Sequence, residues 1–155
     1  MRTTSRTQTL NNASPPGNAT ANPMLPNALR DLILVGLGGF AGAVARWIIS
    51  KVVQDGLQFP IGTIVVNFLG CILLGFILYS TIFFDVFTRE QRLLLATGFA
   101  GAFTTFSTFS FEGFELWAEG LQASAIIYVA ASLILGFIGI FIGRTLALMV
   151  YRHAL

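Results

Sequence analysis

Gly98-Phe99-Ala100-Gly101-Ala102-Phe103-Thr104-Thr105-Phe106-Ser107-Thr108-Phe109-Ser110 is apolar enough for a membrane interior but does not read as ordinary helix. Thr104, Thr105, Ser107, Thr108 and Ser110 put five hydroxyls into seven positions, directly after Gly98 and Gly101. Hydroxyl and β-branched residues are moderate helix formers, and their oxygens compete for backbone partners. The stretch therefore predicts a helix that breaks and resumes. Irregular backbone at membrane depth survives only when buried in protein, when lining an aqueous cavity, or when its freed carbonyls hold an ion.

The rest of the chain supplies that membrane. Of 155 residues, 55% are hydrophobic and 10% charged, where a soluble domain carries about 25% charged residues. Four apolar segments, about 29–53, 61–84, 93–117 and 123–151, each reach the roughly 20 residues a spanning helix needs. Short polar connectors join them and leave nothing for a soluble domain. The fold class is thus all-α integral membrane, with one four-span domain over 29–155 whose third span is broken. Residues 1–28, rich in Asn, Thr, Ser and Pro, lack apolar periodicity and read as a disordered polar tail. No continuous apolar core precedes Pro26, so no secretory leader is expected.

Basic residues give an orientation. Seven arginines (2, 6, 30, 89, 92, 144 and 152) lie on the side of the termini and second connector, against Arg46 and Lys51 on the other. Both termini are expected in the cytoplasm. The basic residues are scattered, so no stripe exists for nucleic acid. Cys71 has no partner for an intrachain disulfide, and His153 is a tail residue, so no transition-metal cluster is expected.

Polar and small residues inside the spans carry the remaining information. Thr63, Asn67, Cys71 and Gly75 recur every four positions and share one face of the second helix. An unpaired amide in hydrocarbon costs several kcal/mol, so Asn67 either bridges helices or faces a water-filled path. Tyr128, Ser132 and Gly136 share a face of the fourth helix. Gly39, Gly42 and Ala43, then Gly70 and Gly75, then Gly136, Gly139 and Gly143 mark faces for close helix packing. Arg46 lies near the end of the first span, where it snorkels to headgroups or stands as a vestibule or structural charge; Glu112 lies well inside an apolar run on the same side of the membrane, as a vestibule or structural charge open to pairing with Arg46. Phe106 and Phe109 share one side of the resumed helix, and their ring edges are electropositive.

Three stretches together resemble the CrcB/Fluc fluoride channels: Gly38-Gly39-Phe40-Ala41-Gly42-Ala43-Val44-Ala45-Arg46, Gly62-Thr63-Ile64-Val65-Val66-Asn67-Phe68-Leu69-Gly70, and Thr97 through Phe109. The resemblance covers all four spans and excludes the tail. It implies passive fluoride export across the plasma (inner) membrane by an antiparallel, dual-topology dimer. It implies a fluoride path lined by Phe106 and Phe109, with Asn67 and hydroxyls such as Thr105 as donors and with Tyr128 and Ser132 from the fourth helix. It further implies a structural Na+ held at the dimer centre by the backbone carbonyls of Gly101 and Thr104. Two features depart from the family pattern. The tail is an addition, and the charge bias is strong for a chain inserting both ways, which makes an oppositely oriented paralogue the alternative partner to a second copy.

Other classes fit less well. A small four-span drug-efflux transporter would place a carboxylate in the first span, but Asp31 is at its entrance and Asp55 beyond its exit. A non-conducting assembly protein would not need the polar cluster of the third span. No nucleophile, base and orienting group are gathered and no phosphate loop is present, so an enzyme is not expected.

Overall fold

The hydroxyl-rich stretch folds as a break between two helices. In the computed structural model, which describes the backbone of residues 24–151 and the side chains of 27–151, α1 is Met24–Gln54 and α2 is Ile61–Phe84. The third span comprises α3 (Arg89–Arg92), a π-helical stretch (Leu93–Ala100), the single turn α4 (Gly101–Phe103) and α5 (Phe106–Ala118). The fourth is α6, Gln122–Tyr151. No strand occurs among the described residues. Four helical segments are long and apolar enough to cross a membrane. At about 1.5 Å per residue, α2 is about 36 Å long and α6 about 45 Å, against a hydrocarbon core of about 30 Å.

Local chemistry sets the ends. The third span begins earlier than the apolar run alone suggests, because Thr88 and Gln91 form a reciprocal capping box. Residues 24–28, expected in the polar tail, are already helix. Pro26 falls in the first turn, where backbone N–H groups have no helical acceptor to lose. Residues 1–23 of the expected tail, and His153, lie outside the described residues. At the other end of α5, Gly120 takes φ +81°. Its N–H meets the Trp117 carbonyl while that of Leu121 meets the Leu116 carbonyl, so the chain turns at once into α6.

Two close helix contacts organise the bundle: α2 along α6, and α1 along the π-helical stretch. Both depend on missing side chains. A Cβ at Gly38 would fall on the Leu94 carbonyl oxygen, and one at Gly42 on that of Phe99. At Gly75 it would come within 2.7 Å of the Ile140 carbonyl oxygen, and at Gly143 it would fall on that of Ile72. The α1 contact therefore runs through Gly38 and Gly42. Gly39, expected on that face, meets nothing closer than the Ala102 methyl at 3.9 Å.

Candidate functional site

The break itself is two extended residues, Thr104 (φ −81°, ψ 158°) and Thr105 (φ −148°, ψ 118°). The Thr104 N–H still closes on the Ala100 carbonyl at 3.1 Å, but the backbone groups of Thr105 would be stranded in an apolar interior without outside partners. Asn67 of α2 supplies them. Its Oδ1 accepts from the Thr105 N–H at 2.7 Å, and its Nδ2 donates to the Thr105 carbonyl at 3.1 Å. Thr105 then caps the resumed helix, its Oγ1 accepting from the Thr108 N–H at 3.2 Å.

These diversions have a consequence one turn back. In an unbroken helix the Thr105 N–H would close on the Gly101 carbonyl, and the Thr108 N–H on that of Thr104. Asn67 and the Thr105 hydroxyl take those two donors instead. The carbonyls of Gly101 and Thr104 are thereby released from their helical partners. Gly101 lies on the exposed face of the subunit.

The five hydroxyls of the break serve it locally. Thr104 Oγ1 donates to the Ala100 carbonyl and Ser110 Oγ to that of Phe106, while Thr105, Ser107 and Thr108 bond among themselves at 3.0–3.3 Å.

A cavity of about 240 Å³ opens beside the break, lined by Asn67, Thr104, Thr105, Phe106, Phe109 and Ser132 among others. No charged side chain lines it. Ser132 Oγ is buried with no hydrogen-bond partner among the described residues. The Phe106 and Phe109 ring centroids are 5.6 Å apart. Phe106 is 78% exposed in the single subunit, so this side of the cavity is an outer surface.

A second cavity, about 430 Å³, lies on the other side of Thr105, which lines both. Arg46, Lys51, Thr63, Thr108 and Glu112 also line it. Glu112 is fixed there by two hydroxyls: Thr63 donates to Oε1 at 2.9 Å and Tyr128 to Oε2 at 2.6 Å. Arg46 faces the same cavity but forms no ion pair with Glu112 among the described residues.

The sequence-derived candidates are thus gathered unevenly. Asn67, Thr104, Thr105, Phe106, Phe109 and Ser132 meet at one cavity; Arg46 and Glu112 meet at the next. Tyr128 is fully buried behind Phe109, ring centroids 5.4 Å apart, and its hydroxyl is committed to Glu112 rather than directed at the first cavity. The sequence points to Thr63, Glu112 and Tyr128 separately but not to their contact, and it gives Lys51 no site role. Thr63, one turn before Asn67 on the same face, carried the available signal.

Four helical spans, one of them broken beside a cavity with no charged lining, define the class as a multi-pass membrane protein. Residues 33–144 match the family described as "CrcB-like protein, Camphor Resistance (CrcB)". The chain is 44% identical over 124 residues to a protein of Methanocaldococcus jannaschii named fluoride-specific ion channel FluC, covering 80% of this chain and 99% of that one. A FluC of Pyrococcus furiosus is 44% identical over 120 residues, covering 77% and 97% respectively. One from Methanococcus aeolicus is 37% identical over 124 residues, covering 80% and 100%. The chain belongs to the CrcB family.

Proposed function

We propose that this protein is a fluoride channel of the plasma membrane, passing fluoride down its gradient past the break in the third span. The observation that carries this reading is the cavity joining Asn67, Thr105 and Ser132 with Phe106 and Phe109 and with no full charge. Relatives bearing the name fluoride-specific ion channel support it.

Fluoride is small and strongly hydrated, so its water must be replaced by donors held in place, yet bound weakly enough to release the ion. The Ser132 hydroxyl lacks a protein acceptor and is available to donate. Asn67 commits one amide hydrogen to Thr105 and keeps a second. The phenyl edges add positive potential without a cation that would trap the anion. Arg46 and Lys51 in the neighbouring cavity raise the local anion concentration, with Glu112 tethered away from free rotation by Thr63 and Tyr128.

The working unit is a dimer of two copies in opposite orientation, an oppositely inserted paralogue being the alternative partner. Exposure of Phe106 and of Gly101 supports it, because a pore-lining ring open to lipid needs a covering surface. The released carbonyls of Gly101 and Thr104 fit a Na+ ion, which prefers neutral oxygen ligands of this kind. Na+ bound there would supply a fixed positive charge at the interface; the chain's part is to present those oxygens by diverting their amide partners.

Fluoride efflux from proteoliposomes of the purified protein tests the reading. Flux is expected in the wild type, with Phe106→Ile and Phe109→Ile abolishing it while the protein stays folded. No fluoride flux from correctly assembled wild type refutes the function, and unchanged flux in both variants refutes the lining.

A further inference from the structure

Arg144 of α6 is the feature the conduction path does not use. Its guanidinium carbon stands 5.7 Å from the Tyr79 ring centre and 5.8 Å from that of Phe83. These rings lie one turn apart on α2 and stack with centroids 5.7 Å apart, tilted by 23°. The planar cation therefore rests on an aromatic shelf at the α2–α6 groove. The other arginines at this end among the described residues are engaged: Arg30 pairs with Glu90, Arg89 with Asp31, and Arg92 donates to the Phe87 carbonyl. Among the described residues Arg144 has neither a carboxylate partner nor a hydrogen-bond acceptor.

Depth sharpens the point. Arg144 lies two turns before Tyr151, about 10 Å inside that end of a helix about 45 Å long. That position is near the boundary between hydrocarbon and headgroups. A guanidinium offers five N–H donors and no acceptor, and in a partly apolar setting they call for an anion. The oxygen anion available at this depth is a lipid phosphate, which a guanidinium grips through two parallel hydrogen bonds. Neighbouring surface suits the acyl part of such a ligand: Ile82 is 68% exposed and Phe83 45%.

We propose that Arg144, Tyr79 and Phe83 form a binding site for the headgroup phosphate of an anionic phospholipid, with the lipid's chains lying against the end of α2. The inference is independent of what the pore conducts.

The test is lipid retention by the purified full-length protein, read by native mass spectrometry after mixed micelles of phosphatidylglycerol and phosphatidylcholine are offered. One basic residue at a membrane surface gives a preference for the anionic lipid of roughly fivefold. That preference is expected in wild type and in Arg92→Gln, to be reduced in Arg144→Lys, which keeps the charge but loses the planar fork, and to vanish in Arg144→Gln. An Arg144→Gln protein that keeps the preference overturns the site. Should that variant not fold, wild type alone decides: equal retention of the two lipids overturns the proposal. Displacement of phosphatidylglycerol by inorganic phosphate at matched ionic strength also overturns it, by assigning the site to a free anion.

Discussion

At the scale of single residues, Asn67 does two jobs that sequence spacing presents as alternatives. It bridges helices, because both ends of its amide are bonded to the backbone of Thr105, and it also lines the cavity. The bridge is what makes the lining: without it the Thr105 backbone would lose its partner, and the helix would have reason to close. Asn67→Ala strips both partners from the Thr105 backbone, at about 1–3 kcal/mol for each group left unpaired unless the break closes back toward helix. A clearly lower unfolding midpoint in detergent and loss of fluoride flux are expected together; wild-type stability would show that the amide does not hold the break. Asn67 was legible because an amide in an apolar helix must be partnered. Its partner was not, since Thr105 is 38 residues away and engaged through backbone, which carries no side-chain signature. The same holds for Glu112, whose donor Thr63 is 49 residues distant.

At the scale of elements, the break was readable from its hydroxyls, and the structure shows why the glycines were a weaker guide. Gly98 and Gly101 stay helical, and the chain leaves helix only at Thr104 and Thr105. Gly98 serves packing instead, with a virtual Cβ 2.8 Å from the Val35 carbonyl oxygen. The π-helical geometry of Leu93–Ala100, where the Gly101 N–H reaches back to the Ala96 carbonyl, has no counterpart in the residue pattern, because i→i+5 pairing is decided by what packs against the helix. Glycine positions on α1 can be separated by experiment. Gly42→Ala drives a methyl into the Phe99 carbonyl and should cost about 1–3 kcal/mol. Gly39→Ala meets only ordinary contact at 3.9 Å and should lie within about 0.5 kcal/mol of wild type. Equal unfolding midpoints for the two variants would mean that α1 does not pack through the Gly38–Gly42 face.

At the scale of the whole molecule, the chain leaves part of its broken span uncovered, with Phe106 and Gly101 both exposed. A second copy covering that part would bring together the two sets of released carbonyls, and a cation among them would tie assembly to the geometry of each break. Replacing Na+ by a large organic cation is therefore expected to lower the dimer fraction measured by cross-linking in detergent; an unaltered fraction removes Na+ from the proposal. Two variants distinguish a carbonyl site from a hydroxyl one. Thr104→Val loses only the side-chain bond to the Ala100 carbonyl and keeps its own carbonyl, so the response to Na+ should persist. Asn67→Ala frees the Thr105 N–H to return to the Gly101 carbonyl, so the response should be lost even in whatever fraction stays folded. The reverse pattern, with Thr104→Val insensitive and Asn67→Ala responsive, would place the cation on hydroxyls and detach it from the helix break.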